Sequence, residues 1–202
     1  MAYFGAKILH PSCVLPAQKA AVPVKLLNTM EPKSKGTVIS KNVTSTPQKV
    51  KAIAAKDGIT AIKIRSSRML NAYGFLKKVF EVFENYQTSI DMITTSEVAV
   101  SLTIDDDKNL QAIVADLKKF GIVEIDKNQT IICVAGEFDH ADAGIAAKVI
   151  NTVKDIPLRM ISSGGSKSNN SILLDTKYKV EAMNALNEGL FADILKQKRT
   201  MA

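Results

Sequence analysis

The sequence predicts an α+β fold made of two tandem ferredoxin-like βαββαβ units with an exchanged strand, behind a short N-terminal piece of different character. Three observations carry this prediction. Residues 59–126 read in the order strand, helix, strand, strand, helix, strand. The order then starts again: Gly74–Phe80 falls on Gly144–Ile150 at an offset of 70, and Ser89–Thr95 falls on Pro157–Ser163 at an offset of 68. Finally, the second unit runs out of strands, whereas a spare one precedes the first.

The elements follow from local patterns. Val50–Ala55 and Ile59–Arg65 are two short runs split by Lys56-Asp57-Gly58, and Asp-Gly between extended runs signals a turn. The second run alternates, with Ile59, Ala61, Lys63 and Arg65 on one face and Thr60, Ile62, Ile64 and Ser66 on the other. Gly74 opens a helical pattern that gathers Phe75, Leu76, Val79, Phe80 and Phe83 on one side, against Lys77, Lys78, Glu81 and Glu84. Ser89–Thr94 and Val98–Ile104 read as strands. Asp105, Asp106 and Asp107 suit a helix N-terminus, and Leu110, Ile113, Val114 and Leu117 line the helix that ends near Gly121. Ile122–Asp126 closes the unit.

Thr130–Ala135 opens the second unit, Ser171–Leu174 is its inner strand and Lys177–Leu190 its second helix. After Phe191 the chain is short, basic and polar, so no closing strand remains. An unpaired sheet edge is a liability, and Val50–Ala55 placed there interlocks the two copies.

The N-terminal piece reads as a helix over 12–23 ending before Pro23, a strand over Val24–Leu27, and a loop and linker over Asn28–Pro47. Its apolar segments are too few to bury one another, so it reads as the tail of a domain whose body lies elsewhere, loosely held by itself. It has neither a charged region leading into an apolar core nor the arginines of a presequence, and the expectation is a cytoplasmic protein.

Composition narrows the functions. Hydrophobic residues are 46% and charged residues 23%, an ordinary globular balance, and no apolar run approaches the ~20 residues of a membrane span. Cys13 and Cys133 lie far apart without Cys-x-x-Cys or His-rich context, so neither a disulfide scaffold nor a metal site is expected. The net charge of +7 sits wholly in residues 1–58, which hold nine Lys against Glu31 and Asp57; residues 59–202 are neutral. Nucleic-acid partners are therefore not expected, and Ile59–Arg65 carries none of the aromatics that RNA-recognition modules of this topology use to stack bases.

Catalytic constellations are missing from the pattern. His10 and His140 have no Cys or Ser at motif spacing, and Ser163-Gly164-Gly165-Ser166 lacks the helix of a phosphate loop and reads as a turn. A binding site is easier to build. Gly74 stands where the first strand hands over to the helix, so the N–H groups of Phe75 and Leu76 are free to meet a carboxylate. Asp91 lies between Ile90 and Met92, where a carboxylate calls for a cation, and Thr95, Ser96 and Glu97 follow. This combination suits a zwitterion with an extra cation, such as free lysine. The second unit has Arg159 in place of Asp91 and no counterpart of Glu97. The alternative, Asp91 paired with a local cation and Gly74 a plain cap, remains open at this level.

Ser67-Arg68-Met69-Leu70-Asn71-Ala72-Tyr73-Gly74-Phe75-Leu76, with Ser89-Ile90-Asp91-Met92-Ile93-Thr94-Thr95-Ser96-Glu97-Val98, resembles the regulatory region of the aspartokinase family, in its monofunctional, lysine-sensitive type. Phe4–Pro11 resembles the last signature of the family's kinase domain, and Gly36-Thr37-Val38-Ile39 its closing strand. The resemblance implies a remnant of the α/β kinase domain with its linker over 1–45, a first, effector-binding ACT domain over 59–128, and a second over 48–56 plus 129–192. It implies that the whole enzyme phosphorylates L-aspartate with ATP and magnesium to 4-phospho-L-aspartate, on the way to lysine, threonine and methionine. Most of the catalytic domain has no counterpart here, so the resemblance implies no catalytic residue, no metal and no cofactor for this chain. Only Lys7 matches a position near the ATP phosphates.

The implied effector is L-lysine, held between the first ACT domains of a homodimer. Met69 and Asp91 match positions near its side-chain amine, Gly74, Phe75 and Leu76 those holding its carboxylate, and Ala72, Ser89, Ile90, Thr95, Ser96 and Glu97 the remaining wall. Ala72 stands where some members have Ser and Asn71 where they have His, whereas Tyr73 fits the plant-like version. A freestanding ACT sensor acting on a separate partner is the alternative reading.

Overall fold

A computed structural model describes residues 9, 11–40, 49–69, 73–138 and 144–200. Lys7, His10, Asn71, Ala72 and His140 lie outside the described residues. The chain divides into two units, residues 1–49 and 50–202.

In the first unit, helix α1 (Pro11–Lys19) leads to a two-stranded antiparallel ladder of β1 (Val24–Leu26) and β2 (Thr37–Ile39). The helix ends sooner than its apolar pattern suggests, because Ala21 turns left-handed (φ 54°) and the Val22 N–H closes back onto the Ala17 carbonyl. Gly36 is fixed by contact: a Cβ there would lie 2.2 Å from the Leu26 carbonyl oxygen. Leu15, Leu27, Met30 and Val38 stay exposed, as expected of a piece too small to bury its own apolar residues.

The second unit carries one six-stranded antiparallel sheet. Its strands are β3 (Val50–Arg65), β4 (Ile93–Thr95), β5 (Ala99–Ile104), β6 (Ile122–Gly136), β7 (Leu158–Ser162) and β8 (Asn169–Asp175), in the order β4-β5-β3-β6-β8-β7. Helices α2 (Phe75–Asn85) and α3 (Leu110–Leu117) follow the first repeat's strands; α4 (Ile145–Thr152) and α5 (Lys179–Thr200) follow the second's. β3 pairs with β5 through Thr60–Arg65, and with β6 along both lengths, from Val50↔Gly136 to Arg65↔Ile122. The stretch 50–56 thus serves as the fourth strand of the second repeat, the exchange that the sequence predicts.

Two expectations are corrected. Lys56-Asp57-Gly58 is not a turn between strands, and Ile122–Asp126 and Thr130–Ala135 are not separate strands. Each pair is one long strand, because the closing strand of one repeat runs directly into the opening strand of the other. The Asp-Gly signal survives as an irregularity, with Gly58 at φ 75° and the ladder shifting between Lys56 and Ile59. Asp57 accepts hydrogen bonds from Lys179 Nζ (2.5 Å) and Thr130 Oγ1 (2.8 Å). The Lys179 ammonium first, then the Thr130 hydroxyl, hold its carboxyl below the usual carboxylate range. A lowered folded value means a contribution that is complete above the unfolded pKa and lost as the pH falls through the folded one. Asp57→Asn should therefore flatten the acid limb of stability, read as denaturant midpoints from about pH 6 to about pH 3; parallel profiles would contradict this.

Alternation sorts the core. Ile62, Ile64, Val100, Leu102 and Ile104 face α2 and α3, which bring Val79, Phe83, Ile113 and Leu117. Ile132, Val134, Ile172 and Leu174 face α4 and α5, which bring Val149, Val153, Ala182 and Leu186. The opposite sheet face is buried too: Ile59, Thr103, Gln129, Ile131, Cys133, Met160 and Leu173 belong to neither cluster, yet each is below 7% exposed. β4 and β7, at opposite ends of the strand order, are in contact, so the sheet curls until its halves cover each other. Cys133 lies in this inner layer, where burial pushes its thiol up and leaves it a packing group.

Candidate functional site

The first repeat builds an open helix end. Gly74 precedes α2 in the left-handed region (φ 79°), and space beside its Cα is open, with nothing within 4 Å of where a Cβ would stand. Gly74 has no side chain with which to cap this end, and no acid sits in the first turn. The Phe75 and Leu76 N–H groups therefore have no acceptor within the helix and point out of its positive end. Val79, Val82 and Phe83 are buried and set the helix orientation. Leu76 and Phe80 stay about 40% exposed, and Tyr73 is fully exposed.

The second wall is the segment around β4. Asp91 donates its N–H to the Thr103 carbonyl (2.9 Å), and Met92 donates its N–H to Thr103 Oγ1 (2.9 Å). This corrects the strand predicted over Ser89–Thr94: β4 starts at Ile93, because the threonine hydroxyl takes the place of a ladder acceptor. Asp91 is half-buried, with its Oδ2 closed off from solvent. Ile90, Phe75 and Met69 pack on the same core. Thr95, exposed, ends β4, and Ser96 and Glu97 lie in the exposed β4–β5 connection, closed by the Ser96 N–H to the Ala99 carbonyl (2.8 Å). Met69 ends a 3₁₀ turn, Ser67–Met69, which follows the Ser66 N–H bonded to the Val98 carbonyl of that connection (2.9 Å).

The structure thus sets Met69 and Thr95–Glu97 at one end of the first half-sheet, and packs Met69, Phe75 and Ile90 on the core beneath the helix. Ser89 is exposed beside them. Sequence reasoning missed Thr103, which is fully buried on the strand face opposite Leu102 and Ile104. Its signal was a hydroxyl between Leu102 and Ile104, which when buried must find a partner. The second half keeps the helix end, with Gly144 at φ 94°, but has Leu173 where the first has Thr103 and Arg159 where the first has Asp91. Thr103→Val would leave the Met92 N–H unpaired and buried, a loss of about 1–3 kcal/mol. Thr103→Ser should recover most of it, as read from denaturant midpoints. Equal midpoints for the valine variant and the parent would show that the hydroxyl does not hold this segment.

Among the described residues no group of His, Cys, Asp and Glu could hold a metal ion. Ser163-Gly164-Gly165-Ser166 connects β7 to β8, with Ser163 donating to Asn170 Oδ1; a strand follows it, as the reading of a plain turn requires.

The comparisons agree with this architecture. The family model described as "ACT domain" matches residues 62–119 and 132–190, one match per half. Aspartokinase 1, chloroplastic, of Arabidopsis thaliana is 36% identical over 95% of this chain, and lysine-sensitive aspartokinase 3 of Escherichia coli is 31% identical over 95%. The chain spans 35% of the length of the first and 44% of the second. A structure described as a C-terminal regulatory domain assigned to aspartate kinase of Porphyromonas gingivalis W83 is 50% identical, with a TM-score of 0.64 over 69% of this chain and 96% of that one. Escherichia coli aspartokinase III in complex with lysine and aspartate superimposes with a TM-score of 0.81 over 95% of this chain and 44% of that one. With two matched domains interlocked by strand exchange, and aspartokinases along nearly its whole length, the chain belongs to the ACT-domain family and corresponds to the regulatory region of an aspartokinase.

Proposed function

We propose that this chain senses L-lysine at the first ACT domain and forms a homodimer through it. The observation that carries the reading is the N-terminus of α2 behind a left-handed Gly74 with open space beside it, in the same half as the half-buried carboxylate of Asp91. Helix N–H groups suit the ligand's carboxylate, and Asp91 its side-chain ammonium. The partly exposed Leu76 and Phe80, with Tyr73 before them, give α2 an apolar outer stripe suited to a second copy. The whole enzyme would phosphorylate L-aspartate with ATP and magnesium in the cytoplasm, with Lys7 near the nucleotide; this chain alone would not turn over.

Effector binding would favour one arrangement of the enzyme through its differential affinity for two states. The test is a thermal-shift panel of the twenty amino acids. Lysine at about 100-fold over its Kd should add roughly 2.7 kcal/mol, several degrees in melting temperature, while the others leave it unchanged. A panel in which lysine does no better than alanine would overturn the reading.

A further inference from the structure

Both long strands break their regular course at the same level. Gly58 on β3 takes φ 75°, and Asn128 on β6 takes φ 57°, next to the pair Ile59↔Gln129. A ring of ion pairs surrounds this level. Lys56 Nζ, on the exchanged stretch, reaches Asp105 Oδ2 at 2.5 Å, beyond the end of β5. Arg159 Nη2, on β7 of the second half, reaches Asp126 Oδ1 at 3.3 Å, on the first half's closing stretch. Lys127 Nζ reaches Asp107 Oδ2 at 3.0 Å. Asp57 is held by Lys179 at the start of α5 and by Thr130, whose hydroxyl also meets Thr176 Oγ1 at 2.9 Å.

We propose that this ring is the joint that fixes how the two ACT domains are set against each other, and that it links the helices of the first to those of the second. The β3–β6 ladder runs through both halves, but its register shifts between Lys56 and Ile59 and between Ile59 and Ala61, so it can bend at this level; the apolar inner layer is non-directional and does not oppose such a bend, whereas charge pairs at fixed offsets do. Asp105 and Asp107 lie in the turn that enters α3, α3 packs on α2, and Lys179 begins α5, so a shift of α2 has a continuous route to the last helix. Arg159 gains a role here: at the place where the first repeat has Asp91, the second carries a strut to its neighbour. Each exposed pair is weak alone, so the effect belongs to the set.

The test needs no effector and stands apart from the lysine reading. Spin labels are placed at cysteines replacing Lys78 and Lys148, on α2 and α4, with Cys13→Ser, and the labelled chain is diluted into unlabelled chain. Dipolar spectroscopy then reads the distance within one copy. The parent should give a narrow distribution at low salt that broadens at about 1 M salt, where the Debye length is ~3 Å. Asp105→Asn with Asp126→Asn should be broad already at low salt, and Lys56→Glu with Asp105→Lys should be narrow again. If the asparagine pair fails to fold, as seen by circular dichroism, Lys56→Gln with Arg159→Gln, which opens the same two ion pairs from their basic ends, carries the same expectation. A variant distribution that superimposes on the parent's at low salt overturns the proposal.

Discussion

Asp91→Ala should cut the lysine-dependent rise in melting temperature by half or more while the chain stays folded. The carboxylate is half-buried at the entry to β4, and its backbone is pinned by Thr103. Its removal would leave these backbone bonds in place and, on the proposed reading, would take away the partner of the ligand's ammonium. A charge-assisted contact of this kind contributes about 1.5–3 kcal/mol, roughly 10- to 100-fold in affinity. Asp91→Asn should fall between parent and alanine, because an amide still accepts a hydrogen bond but does not neutralise a cation. The check is a calorimetric titration of both variants; parent-like affinity in the alanine variant would remove Asp91 from the site.

Phe83→Ala should cost about 3–5 kcal/mol, and Phe80→Ala very little. Both lie on what the sequence shows as one apolar side of a helix. Phe83 is 2% exposed beneath the first half-sheet, among Val79, Val100 and Leu117, whereas Phe80 is 42% exposed. Truncating Phe83 leaves a cavity in a unit whose total stability is of the order of 5–15 kcal/mol, a large share of what holds it folded. Phe80→Ala should instead weaken self-association, read by sedimentation, if the outer stripe of α2 meets a second copy. Equal losses of stability in the two variants would contradict the division of this helix into an inner and an outer face.

The repeat, the alternating runs and the spare strand made the ferredoxin-like units and the exchange legible, because each depends on short-range periodicity and on the need to pair edges. The fusion of adjacent strands was not legible. Asp57-Gly58 and Asn128 are turn residues by local chemistry, and only pairing along both lengths of β3 and β6 keeps the chain extended through them. The apolar inner face was obscured in the same way, since Lys63 and Arg65 on the same face of the run mark it as solvated. At the site, Gly74 and the helix start were readable from residue type, and the left-handed conformation agrees. The hold of Thr103 on Asp91 and Met92 was not, because it joins residues eleven and twelve positions apart through a strand whose boundary it shifts.

Amide hydrogen exchange with and without L-lysine tests the central claim most directly. If a small zwitterion docks on the open end of α2, protection should rise at Phe75 and Leu76 and across residues 89–97, with the matching residues of the second domain around Ile145 little changed. Uniform exchange in both states, or protection confined to the second domain, would contradict the account.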